Sequence, residues 1–89
     1  SEIFHDVPSA TIELSELQAG FPLLDALVKV ALAKSKSDAR RTVEQGGAYV
    51  NNRRIDAVDY VLTQQDLASE SVIVLRSGKR KFALLKVVK

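Results

Sequence analysis

The chain has 89 residues, 46% of them hydrophobic, with no cysteine, one histidine (His5) and a formal charge of +2. That length suits one domain, which on folding buries somewhat over ~60% of its unfolded surface, enough for a small core without staples. The missing cysteines exclude a disulfide framework and a thiolate metal site, and one histidine argues against a histidine-based site. No apolar run approaches the roughly 20 residues that cross a bilayer and nothing resembles a signal peptide, so a soluble cytoplasmic domain without membrane or metal partners is expected.

The charges are segregated. Residues 1–27 carry Glu2, Asp6, Glu13, Glu16 and Asp25 and no cation, whereas residues 28–89 carry all thirteen cations against six acids, a net +7. A +7 body behind an acidic leader suits a polyanionic partner, although an ordinary solvated surface has the same composition.

In chain order, residues 1–9 show no sustained period and are interrupted by Pro8, which reads as a linker. Thr11 to Leu14 alternate as a short edge strand, so residues 1–22 are expected to form an acidic linker and edge segment ahead of a body over 23–89. Pro22 fits the first position of a helix. From Leu23 to Ala33 the apolar residues Leu23, Leu24, Leu27, Val30 and Ala31 keep helical spacing. A second helix is expected from Asp38 to Gln45, with Ser37 as its cap and Gly46 or Gly47 as its left-handed stop.

At about 100° per residue, Ala39 and Val43 define the buried side of that second helix and Arg41 projects nearly opposite. Lys34 and Lys36 precede it, so with Ser37, Arg40 and Arg41 they surround a helix start whose free N–H groups and dipole favour an anion. Ala48 to Val50 then reads as a strand, Asn51-Asn52 as a two-residue turn and Arg53-Arg54-Ile55 as the return. Tyr49 is expected to point outward beside Arg53 and Arg54, where it either stacks on an unpaired base or covers the core edge. Six of the thirteen cations fall within residues 34–54. Later, Val72 to Leu75 and Lys81 to Val88 form a second hairpin with Lys79, Arg80 and Lys81 at its tip, either as RNA contacts or as edge-protecting charges.

Leu32 to Arg41, then Val43, Gln45-Gly46-Gly47, Val50-Asn51 and Ile55, resemble the S4 RNA-binding domain. The resemblance implies an α+β, S4-like fold in which two main helices pack on a small, mostly antiparallel sheet. Asp59 to Thr63, Asp66-Leu67, Val72 to Leu75 and Gly78 to Phe82 further resemble the C-terminal S4-like domain of bacterial tyrosyl-tRNA synthetases. What this implies is a module that binds the long variable arm and nearby stem of tyrosine tRNA through Lys36, Ser37, Arg40, Arg41, Arg53 and Arg54. Tyr49 and Asn52 are candidate base or sugar contacts. Asn52 departs from the glycine frequent in the wider family, which affects where Arg53 lies.

The resemblance also implies a fragment that is not itself an enzyme and needs no cofactor. It would be monomeric in isolation, within a homodimeric, ATP-dependent tyrosine-tRNA ligase serving translation. Ala33 to Ser37 superficially resembles the Lys-Met-Ser-Lys-Ser loop of class I synthetases, but that loop acts beside a nucleotide-binding parallel sheet for which this chain is too short. Alternatives are an S4 domain of another RNA-modifying or ribosome-associated protein, or a basic protein–protein module.

Overall fold

Ten short elements carry residues 7–89, the part of the chain that a computed structural model describes. They are β1 (Ser9–Glu13), α1 (Leu14–Gln18), β2 (Phe21–Pro22), α2 (Leu23–Lys29), α3 (Lys36–Glu44), β3 (Ala48–Val50), β4 (Arg53–Arg54), β5 (Val61–Leu62), β6 (Val72–Ser77) and β7 (Lys81–Val88), with a 3-10 turn at Gln64–Asp66. The expected α+β class holds: a five-stranded sheet in the order β1-β7-β6-β3-β4 and a two-stranded β2-β5 ribbon accompany the helices. All pairs in the large sheet are antiparallel except β1 with β7.

Alternation sets the sheet's inner face. Ile73 and Leu75 of β6 and Ala83, Leu85 and Val87 of β7 turn inward with Ile12, Ala48 and Val50. Leu17, Leu23, Ala26, Leu27, Ala39 and Val43 from the helices close over them. Each fully buried leucine, isoleucine or valine here contributes roughly 1.5–3 kcal/mol through removal of its side chain from water.

One expectation is met and two are corrected. The edge strand expected at Thr11 to Leu14 is present as Ser9–Glu13, at the edge of the large sheet in register with Leu84–Val88, and Ile12 and Leu17 are buried in the same core as Leu23 and Leu27. The linker reading of residues 1–6, His5 included, lies outside the described residues. The first main helix stops at Lys29, before the expected Ala33. Ala31 turns left-handed (φ 66°), its N–H donating to the Val28 carbonyl at 3.0 Å and that of Leu32 to the Leu27 carbonyl at 2.9 Å. This is the glycine-type helix stop made by an alanine, at a cost of about 1–2 kcal/mol because Cβ crowds the carbonyl. Finally, the second main helix begins at Lys36 and is capped by Ser35 in place of Ser37.

At the other end of α3 the expectation is met. Gly46 is left-handed (φ 76°), with its N–H on the Val43 carbonyl and that of Gly47 on the Thr42 carbonyl. The chain is thereby turned directly into β3.

Candidate nucleic-acid interface

The start of α3 is built by a reciprocal pair of hydrogen bonds. Ser35 is extended, and its Oγ accepts from the Asp38 N–H at 3.2 Å, while the Asp38 carboxylate accepts from the Lys34 N–H at 3.0 Å. This pairing explains the earlier cap, since only Ser35 stands three residues before an acid that can answer it. The N–H groups of Lys36 and Ser37 meet no acceptor among the described residues and remain open to an anion at the positive end of the helix. Ala39 and Val43 are buried, whereas Lys34, Lys36, Ser37, Arg40 and Arg41 are exposed, as the facing geometry requires. Lys36 pairs with Asp25 of α2 at 2.9 Å. Lys34, Arg40 and Arg41 have no acidic partner within reach among the described residues.

The β3–β4 hairpin turns through Asn51 (φ 51°) and Asn52 (φ 70°), the two left-handed residues of a type I′ turn. Asn52 is exposed at its tip. Asn51 is a brace: its N–H donates to the Val74 carbonyl at 2.8 Å, its Oδ1 accepts from the Val74 N–H at 3.0 Å, and its Nδ2 donates to the Asp66 carbonyl.

Asp66 is buried at the centre of a polar knot. Its carboxylate accepts from the Tyr60 hydroxyl at 2.7 Å, the Thr63 N–H at 3.0 Å and Arg53 Nη2 at 3.4 Å. Burial, reinforced by the hydrogen bond to Asp66 and its charge, raises the Tyr60 phenol above its ordinary pKa, with Arg53 opposing. Arg53 is therefore directed at a protein carboxylate, although its side chain remains 67% exposed. Arg54 Nε meets Asp56 at 3.3 Å, and its Cδ lies 3.5 Å from where a β-carbon on Gly46 would stand. Exposed pairs of this kind are worth about 0–1 kcal/mol.

A cation absent from the sequence-based set lies between the hairpins. Strand register aligns Arg54, Tyr49, Arg76 and Phe82 in one cross-strand row. The Arg76 guanidinium carbon sits 3.9 Å from the Tyr49 ring centroid and 5.7 Å from that of Phe82, and its buried Nε has no partner. One face of Tyr49 is thus covered by Arg76. The signal in the sequence was the outward parity of Arg76 after Val72 and Val74, but its meeting with Tyr49 depends on a pairing 27 residues away.

The tip of the second hairpin does approach the first cluster. The Gly78 N–H donates to the Gly47 carbonyl at 2.7 Å, so the β6–β7 turn abuts the α3–β3 junction. Arg80 and Lys81 share a cleft with Ala31 and Leu32 of the α2–α3 turn, which leads into Lys34. Lys34, Lys36, Ser37, Arg40 and Arg41 thus form one group and Lys79, Arg80 and Lys81 an adjoining one, with Arg53 drawn aside into the polar knot. Among the described residues no group of three or more His, Cys, Asp or Glu is placed to hold a metal ion, and no helix is long and apolar enough to cross a membrane.

Residues 1–85 match the family described as the SYY-like C-terminal domain of tyrosine--tRNA ligase. The chain is 49% identical over 87 residues to the tyrosine--tRNA ligase of Rhodopirellula baltica, covering 97% of this chain and 20% of that protein. For the enzyme of Roseiflexus castenholzii the identity is 45% over 89 residues, covering 99% and 21%, and for that of Corynebacterium jeikeium 47% over 75 residues, covering 84% and 18%. The chain spans about a fifth of the length of these curated relatives. With the family match over nearly all of its length, the chain belongs to the C-terminal domains of tyrosine--tRNA ligase, on an S4-like α+β fold.

Proposed function

We propose that this domain is the tRNA-docking module of a tyrosine-tRNA ligase, gripping the long variable arm and nearby stem of tyrosine tRNA by backbone contacts. The observation that carries the reading is the start of α3, where Lys34, Arg40 and Arg41 stand exposed, without acidic partners among the described residues, around open backbone N–H groups. Paired A-form RNA is read through phosphates, 2′-hydroxyls and groove shape, and a fixed array of cations on a helix end suits that mode. Ser37 and Asn52 add exposed hydrogen-bonding groups, and Lys79, Arg80 and Lys81 extend the surface. Lys36, Arg53 and Arg54 contribute less, since each already faces a carboxylate.

On this reading the domain is non-catalytic and cofactor-free. It positions tRNA for a cytoplasmic, homodimeric parent enzyme whose ATP-dependent chemistry lies elsewhere in the longer chain. Tethering raises the effective concentration of the module, so its isolated affinity is modest.

The test is a titration with tyrosine tRNA and with a copy lacking the variable arm, repeated at several salt concentrations. The intact tRNA is expected to bind roughly tenfold tighter, a difference of about 1.4 kcal/mol. Equal affinities would overturn the variable-arm reading, and the absence of any salt-sensitive RNA binding would overturn the RNA-binding role and favour a protein partner.

A further inference from the structure

Between the α2–α3 turn and the tip of the β6–β7 hairpin lies an open cleft of about 500 Å³, within the size range of small-ligand sites. Val7, Pro8, Leu32 and Phe82 give it an apolar floor, and Arg80 and Lys81 stand on its rim. Both cations are exposed, without an acidic partner among the described residues. Its remaining wall is Ala31, whose left-handed backbone is strained for an alanine. Strain of this kind persists where surrounding structure enforces it, and it is concentrated at binding sites.

An apolar floor beside two cations fits neither a paired stem nor a lone phosphate. A stem has no free base face to cover Phe82, and a phosphate would leave the floor wet. An unpaired nucleotide satisfies both halves, because its base stacks on the aromatic ring and its phosphates meet the arginine and lysine. We propose that this cleft captures one unpaired nucleotide of the bound RNA, separately from the phosphate grip at the start of α3. The inference rests on the RNA-binding reading above and adds the RNA feature selected: a bulged or looped-out base beside a stem.

Two RNA duplexes of equal length, one blunt and one carrying a single 4-thiouridine bulge, test it. The bulged duplex is expected to bind about tenfold tighter, as base–aromatic stacking allows, and to crosslink under near-ultraviolet light within residues 31–32 or 80–82. Phe82→Leu should abolish the preference while leaving blunt-duplex affinity within about twofold. Arg80→Gln, at an exposed site with no packing role, should reduce the preference severalfold if the leucine variant proves unstable. Arg40→Glu with Arg41→Glu should weaken both duplexes and preserve their ratio. In a separate arm, adenosine monophosphate should shift the amide resonances of Leu32 and Phe82, whereas inorganic phosphate should shift only those near Arg80 and Lys81. Equal binding of the two duplexes by the wild-type domain, or crosslinks confined to α3, would overturn the cleft assignment while RNA binding itself stands. Failure to bind either duplex would overturn both.

Discussion

Two regions of this domain hold arginines beside hydrogen-bonding groups, and they differ in what answers the charge. At the start of α3, Arg40 and Arg41 are exposed and no acid reaches them among the described residues. In the knot below the β3–β4 hairpin, Arg53 meets Asp66, which also takes hydrogen bonds from Tyr60 and Thr63. A run of basic residues looks uniform in sequence, but an arginine answered inside the protein serves chiefly the fold, whereas an unanswered one is available to a polyanion.

The largest effect that tests this contrast comes from Asp66→Ala. The substitution strands the Tyr60 hydroxyl and the Thr63 N–H and removes the partner of Arg53, at a cost of about 2–4 kcal/mol. Urea denaturation measures the loss, and tRNA affinity of the folded variant should remain within about threefold. A loss of affinity as large as the loss of stability would mean that the knot belongs to the binding surface.

Arg40→Glu with Arg41→Glu should act the other way round. Affinity for tyrosine tRNA is expected to fall roughly 30- to 100-fold, about 2–2.7 kcal/mol, with a shallower salt dependence because fewer phosphates are neutralised. Stability should stay within about 0.5 kcal/mol, since both side chains are on the exposed side of the helix. Unfolding of this variant would show that the helix presents a different face to the core.

How much of this was legible in the sequence follows from the range of the interactions. The buried pair Ala39 and Val43, the Gly46 stop, the Asn51-Asn52 turn and the two hairpins are local, set by helical or strand periodicity and turn chemistry, and they were readable. Ser35 was overlooked as a cap because Ser37 is equally capable alone; what decided between them was the reply from Asp38. Ala31 concealed a helix end because it is a good helix former in a position where glycine is the usual marker. The parallel pairing of β1 with β7 joins the two ends of the described chain: alternation over Thr11 to Leu14 announces an edge strand, but no local pattern names its partner. For the same reason the candidate surface was only half legible: the α3 cations were grouped by one helix, whereas Arg76 and the paired state of Arg53 depend on strands and turns far away in sequence.

Tyr60→Phe gives a smaller effect confined to the knot, about 1–2 kcal/mol for a hydrogen bond to a charged acceptor. It also alters the alkaline limb of stability. Burial and Asp66 raise the phenol's pKa in the folded state, so the unfolded chain releases that proton first. The contribution is complete below the ordinary tyrosine pKa of about 10 and is lost as pH rises through the folded value. The phenylalanine variant should lack this component of the decline in a pH series of urea midpoints. An unchanged alkaline slope would mean that the hydroxyl is not held as the geometry indicates.

The smallest and most direct comparison sets Arg53→Gln beside Arg41→Gln. Both remove one exposed charge and keep an amide capable of hydrogen bonding, so long-range attraction to tRNA falls equally. What differs is the local state of the arginine: Arg53 is oriented toward Asp66 at 3.4 Å, and Arg41 has no acidic partner among the described residues. Arg41→Gln should lower tRNA affinity about three- to tenfold and reduce the salt slope by about one, the signature of a lost phosphate contact. Arg53→Gln should change affinity by less than about twofold and stability by less than about 1 kcal/mol, because the ion pair it removes is largely exposed to solvent. Equal losses of affinity would show that the guanidinium of Arg53 leaves Asp66 for the RNA on binding, which would return it to the docking surface and leave the carboxylate to Tyr60 and Thr63 alone.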